Sequence, residues 1–246
     1  MLGGILLSCL AAAPALETAG LPGPDELVAR NIASRGGLER LRSVKSLRLT
    51  GHMTMGPGRE APISIEMKRP NKVRLEFRVQ GYTGVQAFDG DTAWHLLPFH
   101  GDAAAEALPE AESAAVRQQS DFDGPLVGYR EKGLDVEVIG RESYRETPAW
   151  RLRVRFPDGS SKDVWLDAER CLELKSESRR QAGDEILVGE SLVSDYRDVE
   201  GLLMPHSFEN GPKDAAERQR LTITRVELNP EIDDARFAMP QAPPKP

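Results

Sequence analysis

Four histidines, two cysteines and 39 acidic side chains are the groups of this 246-residue chain with which chemistry could be done. The histidines, His52, His95, His100 and His206, contain no pair at i and i+4 and no HExxH stretch, so a zinc-binding helix of that type is excluded. His95 and His100 stand five apart across an expected strand end, which fits groove-edge imidazoles better than a metal site. Nucleophile-elbow and phosphate-loop patterns are absent, and Gly56-Pro57-Gly58 is a lone turn with no third glycine and no helix after it. Asp121/Asp123 and Asp233/Asp234 are neighbours of the kind a two-acid hydrolase uses. In so acidic a chain such pairs arise by chance, and Asp123-Gly124-Pro125 reads as a turn. Cys171, in Cys171-Leu172-Glu173-Leu174, reads as a small buried strand residue rather than a nucleophile. An enzyme would therefore have no residues to rest on.

With 32 basic residues against 39 acidic ones, the net charge of −7 counts against a general nucleic-acid binder. A content of 39% hydrophobic and 29% charged residues is that of a soluble globular protein, and the length accommodates one large domain or two small ones. No apolar run reaches the roughly 20 residues of a membrane-spanning helix.

Met1 to Ala15 carry no charge and end in Ala13-Pro14-Ala15, which fits a secretory apolar region with a small-x-small cleavage site after Ala15, although the basic segment expected ahead of it is missing. Leu6-Leu7-Ser8-Cys9 offers a competing reading, a loose lipobox with Cys9 acylated. Either way the domain works outside the cytoplasm. Removal of Cys9 leaves Cys171 without a disulfide partner.

Whatever these residues do, a sheet must position them. Residues 16–24 form a linker through Leu21-Pro22-Gly23-Pro24. Asp25 can cap a helix carrying Leu27, Val28 and Ile32, stopped by Gly36-Gly37, and a short turn of helix follows over Leu38–Ser43. From Val44 the period becomes two, with Leu47, Leu49, Met53 and Met55, then Ile63, Ile65 and Met67, then Val73, Leu75, Phe77 and Val79 alternating with polar residues. It returns in Trp150, Leu152, Val154 and Phe156 set against Arg151, Arg153 and Arg155, and continues in segments near 164–174, 186–196, 202–208 and 221–228. About eleven strands joined mostly by hairpin-length turns require an antiparallel sheet, because parallel crossovers need a dozen or more residues. Asp102–Gln119 reads as helix interrupted at Pro109, and Phe122–Lys132 as irregular. Two helical segments are few for so wide a sheet. The fold expected is mainly β, a sheet that curls so that the helices close over its concave apolar side, with a frayed Pro-rich tail over 240–246.

Glu66-Met67-Lys68-Arg69-Pro70-Asn71-Lys72-Val73-Arg74, followed by Phe88-Asp89-Gly90-Asp91-Thr92-Ala93-Trp94 and Leu97-Pro98-Phe99, resembles the LolA-type periplasmic lipoprotein carriers in order and spacing. Asp233 to Pro240 fits that family's ending. Ser194-Asp195-Tyr196-Arg197, with Val199, Gly201 and Pro205, is similar to a stretch of the broader outer-membrane lipoprotein-sorting group. The resemblance implies an incomplete antiparallel β-barrel with a helical lid over residues 25–239, without enzymatic activity, cofactor or metal. It implies a periplasmic monomer that holds acyl chains of lipoproteins or other lipids between an inner-membrane donor and an outer-membrane acceptor. It makes Arg69 the latch that holds the lid closed in the empty carrier. Departures in the lid and in the Arg-rich region after Gly140 leave the lipid unspecified. A lipid-sensing regulatory module, or an acceptor anchored at Cys9, are the alternatives.

Each acyl CH₂ taken from water contributes about 0.8 kcal/mol, so such a carrier needs a deep, dry cavity. Leu47, Leu49, Val73, Leu75, Phe77, Val79, Trp150, Leu152 and Val154 are the expected lining, with Phe88, Trp94 and Phe99 at the mouth.

Overall fold

The computed structural model describes residues 20–240 apart from Met55, Pro57 and residues 99–103. The leader with Cys9, the expected mouth residue Phe99, His100 and the tail beyond Pro240 lie outside the described residues.

The elements are α1 (Pro24–Ser34), α2 (Leu38–Ser43), β1 (Ser46–Thr54), β2 (Glu60–Lys68), β3 (Lys72–Val79), β4 (Tyr82–Phe88), β5 (Ala93–Leu96), β6 (Glu106–Ala107), α3 (Glu110–Gln119), β7 (Asp135–Tyr144), β8 (Thr147–Arg155), β9 (Ser161–Asp167), β10 (Glu173–Ala182), β11 (Glu185–Val199), β12 (Leu202–Pro212) and β13 (Gln219–Leu228). All strands join one antiparallel sheet in the order β6-β5-β4-β3-β2-β1-β13-β12-β11-β10-β9-β8-β7. The first and last strands pair at its centre, so two series of hairpins extend from one seam. The sheet is open, with β6 and β7 as its edges. Among the described residues thirteen strands replace the eleven or so expected. The strands least legible in the pattern are β6, two exposed residues, and β7, where a bulge between Val138 and Gly140 breaks the phase.

Three local expectations change. Helix α1 begins at Pro24, whose fixed φ suits the first helical position, with Gly23 as N-cap; Asp25 instead accepts hydrogen bonds from Tyr129 and Arg130. Residues 104–108 are not helix, because Glu106 and Ala107 pair with His95 and Trp94 and the helix starts only after Pro109. Cys171 lies in the β9–β10 turn at φ 53 rather than on a strand, buried, with its carbonyl accepting from Asn31. Burial pushes its thiol pKa up, away from the thiolate that a nucleophile requires.

The central seam depends on a glycine. A bulge between Thr50 and Gly51 brings β13 so close that a Cβ at residue 51 would stand 1.9 Å from the Thr222 carbonyl oxygen. At the end of α1, Gly36 (φ 114) lies against the β11–β12 turn, where a Cβ would meet the Gly201 carbonyl oxygen at 2.3 Å.

Candidate functional site

Cross-strand pairs share a face, so the register decides which side chains meet. From the β1–β2, β2–β3 and β3–β4 pairings, Leu47, Leu49 and Met53 lie on the same face as Met67, Ile65 and Ile63, then Val73, Leu75, Phe77 and Val79, then Phe88. Across the seam, Leu228, Val226, Ile223 and Leu221 continue this face, and Phe208 extends it on β12. In the other half, Trp150, Leu152 and Val154 pair with Leu166, Val164 and Lys162, while α1 seats Leu27 and Val28 against Leu152, Val154, Val164 and Leu166. This is the concave face that the helices cover.

Cover is graded along the strands. The hairpins β1–β2, β3–β4, β8–β9, β10–β11 and β12–β13 all leave the sheet at one end, the hairpin end. Arg69, in the β2–β3 turn, lies at the opposite end, the base. At the base, Leu47, Met67, Val73 and Phe88 are buried with Leu108 and Val116, and Phe122 packs against them. Toward the hairpin end, Met53, Ile63 and Ile223 are buried, but Leu75, Phe77, Phe208 and Leu221 beside them are only half-buried. The far end of the Phe77 ring lies over Gly84, where a Cβ would meet it at 2.4 Å. The concave face is therefore sealed at the base and part-open at the hairpin end.

The eleven expected lining and mouth residues that the structure describes divide accordingly. Leu49, Leu75, Phe77 and Val79 belong to the part-open region, and Leu47 and Val73 to the sealed base. Phe88 is on the concave face but sealed beneath α3, with the Arg117 guanidinium 5.9 Å from its ring centroid, so it is not at the mouth. Trp94 is on the other face. The turn through Asp89–Thr92 pairs Phe88 with Ala93 and Ala87 with Trp94, which reverses the phase. Its ring packs with Val85 and Ala87, and its Nε1 donates to the Phe237 carbonyl at 2.8 Å, so two motifs far apart in sequence meet outside the barrel. Leu152 and Val154 are fully buried under α1 and serve as core rather than cavity. Trp150 is half-buried with an unpartnered buried Nε1.

At the base, the Arg69 guanidinium ties three segments together. Its Nε donates to the Val44 carbonyl (2.7 Å), and one terminal nitrogen donates to the Leu41 carbonyl at the end of α2 (3.0 Å). Both terminal nitrogens grip the Asp123 carboxylate, at 2.6 and 2.7 Å. The guanidinium lies 4.5 Å from the centroid of the Phe122 ring. A bidentate, nearly buried carboxylate partner is stronger and more directional than a neutral acceptor. The Asp123 carbonyl also accepts from Arg35 just after α1. Asp123 thus joins α1, the crossing loop and the β2–β3 turn. The sequence reading missed Asp123, because Asp123-Gly124-Pro125 signals only a turn and the cation it meets lies 54 residues away.

The remaining chemical candidates do not converge. His52 is exposed, His95 stands 4.0 Å from Glu106, and His206 is buried with a ring nitrogen 2.9 Å from the Met204 carbonyl. No metal-holding group of His, Cys, Asp and Glu occurs among the described residues. Asp121 pairs with Lys132, Asp234 with Lys68 and Lys72, and Asp233 caps the short turn of helix at Asp234–Arg236.

The outer face of β8–β10 carries an ionic ladder. Asp163, with no exposed side-chain surface, accepts from Arg151, Arg153 and Arg179, and Glu177 bridges Lys175, Arg179 and Lys213. Burial pulls the Asp163 pKa upward, and the hydrogen bonds from Arg153 and Arg151 outweigh it, holding the carboxyl at about 2.

The sequence matches no family model and no curated protein. Among solved structures, it is similar to a LolA superfamily protein from Nitrosomonas europaea (11% identity, 89% of this chain and 98% of that one, TM-score 0.59). It is also similar to a putative outer membrane lipoprotein-sorting protein domain from Vibrio parahaemolyticus (14%, 87% and 95%, TM-score 0.59) and to a DUF1329 family protein from Desulfovibrio piger (11%, 87% and 96%, TM-score 0.62). With its open curled sheet and helical cover, this chain has a LolA-like fold.

Proposed function

We propose that the protein is a non-enzymatic periplasmic carrier that takes acyl chains of lipoproteins or other lipids onto its concave face and moves them toward the outer membrane. The observation that carries this reading is the graded concave face: apolar, sealed at the base by a cover that Arg69 and Asp123 clasp, and part-open where Leu75, Phe77, Phe208 and Leu221 are half-buried. A sealed globular core would place such side chains out of water, and apolar surface left part-exposed inside a curved sheet is suited to an apolar guest. Export by cleavage after Ala15, a carrier domain over 25–239 and a monomeric state belong to the same proposal, with a membrane donor and acceptor as partners.

Protein purified from a Gram-negative periplasm tests it. Organic extraction should release bound lipid identifiable by mass spectrometry, and a fluorescent fatty-acyl probe should bind saturably. Absence of both sinks the carrier reading. The mass of the mature N-terminus should correspond to an unmodified Leu16; an acylated Cys9 would replace the soluble carrier with an anchored acceptor.

A further inference from the structure

The concave face is not apolar throughout. On β9, Lys162 alternates in phase with Val164 and Leu166, and it pairs with Val154 on β8 and Ser178 on β10, so the register sets its side chain on the concave side. Ser178 pairs with Gly189, Ser176 with Ser191, and Ser191 with Asn210 on β12. These residues form a polar strip at the hairpin end. Ser176 is buried, but the rest of the strip is open, with Ser178 and Gly189 exposed and Lys162, Ser191 and Asn210 half-buried. At β12 the strip meets the apolar wall directly, because Phe208 and Asn210 are on one face two residues apart.

Among the described residues, the Lys162 ammonium has no ion pair and no hydrogen bond. On the outer side of the same strands the rule is the opposite: Arg151, Arg153, Arg155, Lys175 and Arg179 each hold a carboxylate. A half-buried cation without a counter-charge is costly in proportion to the water it has lost, and an incoming anion repays that cost with a charge-assisted hydrogen bond. Three strand spacings of about 4.8 Å separate β12 from β9, a distance an amphiphile can span with its chain on the wall and its head at the lysine.

We infer that Lys162 anchors the anionic headgroup, carboxylate or phosphate, of an amphiphile whose acyl chain lies along the Phe77, Phe208 and Leu221 wall. The inference rests on the carrier reading and narrows it to acidic lipids. The test compares cis-parinaric acid with its uncharged methyl ester on the full chain and on Lys162→Gln and Lys162→Arg. The wild type should prefer the acid by about tenfold, the worth of one charge-assisted hydrogen bond. Lys162→Gln should erase the preference while leaving the ester's affinity within about twofold, and Lys162→Arg should retain it. Displacement of the probe by lysophosphatidic acid more than by fatty acid, or the reverse, assigns the head as phosphate or carboxylate. Equal binding of acid and ester by the wild type, a preference that survives Lys162→Gln, or equal displacement by monoacylglycerol overturns the inference while leaving the carrier reading intact. Failure of both probes to bind overturns both.

Discussion

At Arg69 a strand-end cation becomes a clasp because Asp123 meets it from 54 residues away. Arg69→Leu removes the hydrogen bonds to Leu41 and Val44 together with the ion pair, whereas Asp123→Asn removes only the charge. Each hydrogen bond to a charged group contributes about 1.5–3 kcal/mol, so Asp123→Asn should lose about that much stability in urea unfolding and Arg69→Leu more. The double variant should cost less than the sum of the two. Both should speed hydrogen exchange over residues 120–134 and change retention of an acyl probe. Additive losses with unchanged exchange would reduce the pair to ordinary surface charges. Arg69 was singled out because its motif is local in sequence. Asp123 was not, since the Asp-Gly-Pro signal for a turn is also local and hides a partner fixed only by tertiary folding.

Strands were the most legible elements, and hairpins the least. Alternation correctly separates Arg151, Arg153 and Arg155 from Leu152 and Val154, but it cannot say which stretch of the apolar face the helices seal. It also resets at every turn, which is why Trp94, in phase with Phe88 by simple counting, faces the other way. The ladder across β8, β9 and β10 makes a prediction at this scale. Asp163 has a folded pKa of about 2, below the ordinary carboxyl value of 3.8 that it takes in the unfolded chain. Its contribution is therefore complete above the unfolded value and is lost as pH falls through the folded one. At 1.36 kcal/mol per unit this is on the order of 2 kcal/mol. Unfolding midpoints between pH 6 and pH 2 should place Asp163→Asn below the wild type at pH 6, with the difference narrowing toward pH 2. A constant difference would mean that the ladder acts through packing alone.

Over the whole molecule, a curled sheet under few helices was legible from strand number and helix scarcity. The central pairing of β1 with β13 was not, because it joins segments some 180 residues apart without a local turn between them. Helix α3 packs Val116 at the base and reaches the β8–β9 hairpin through a 3.2 Å hydrogen bond from Gln118 to Ser160. Joining Gln118→Cys to Ser160→Cys with a short bismaleimide should preserve folding yet slow both uptake and release of an acyl probe; Cys171 is buried and should not compete. Unchanged exchange would show that another part moves.

A face closed at one end and part-open at the other behaves as a cup rather than a tube. In the carrier proposed above, loading and unloading would then share a single rim. A donor and an acceptor would have to occupy the same hairpin loops by turns, so the two encounters would exclude each other in time, and direction would be set by which party holds the cargo more tightly.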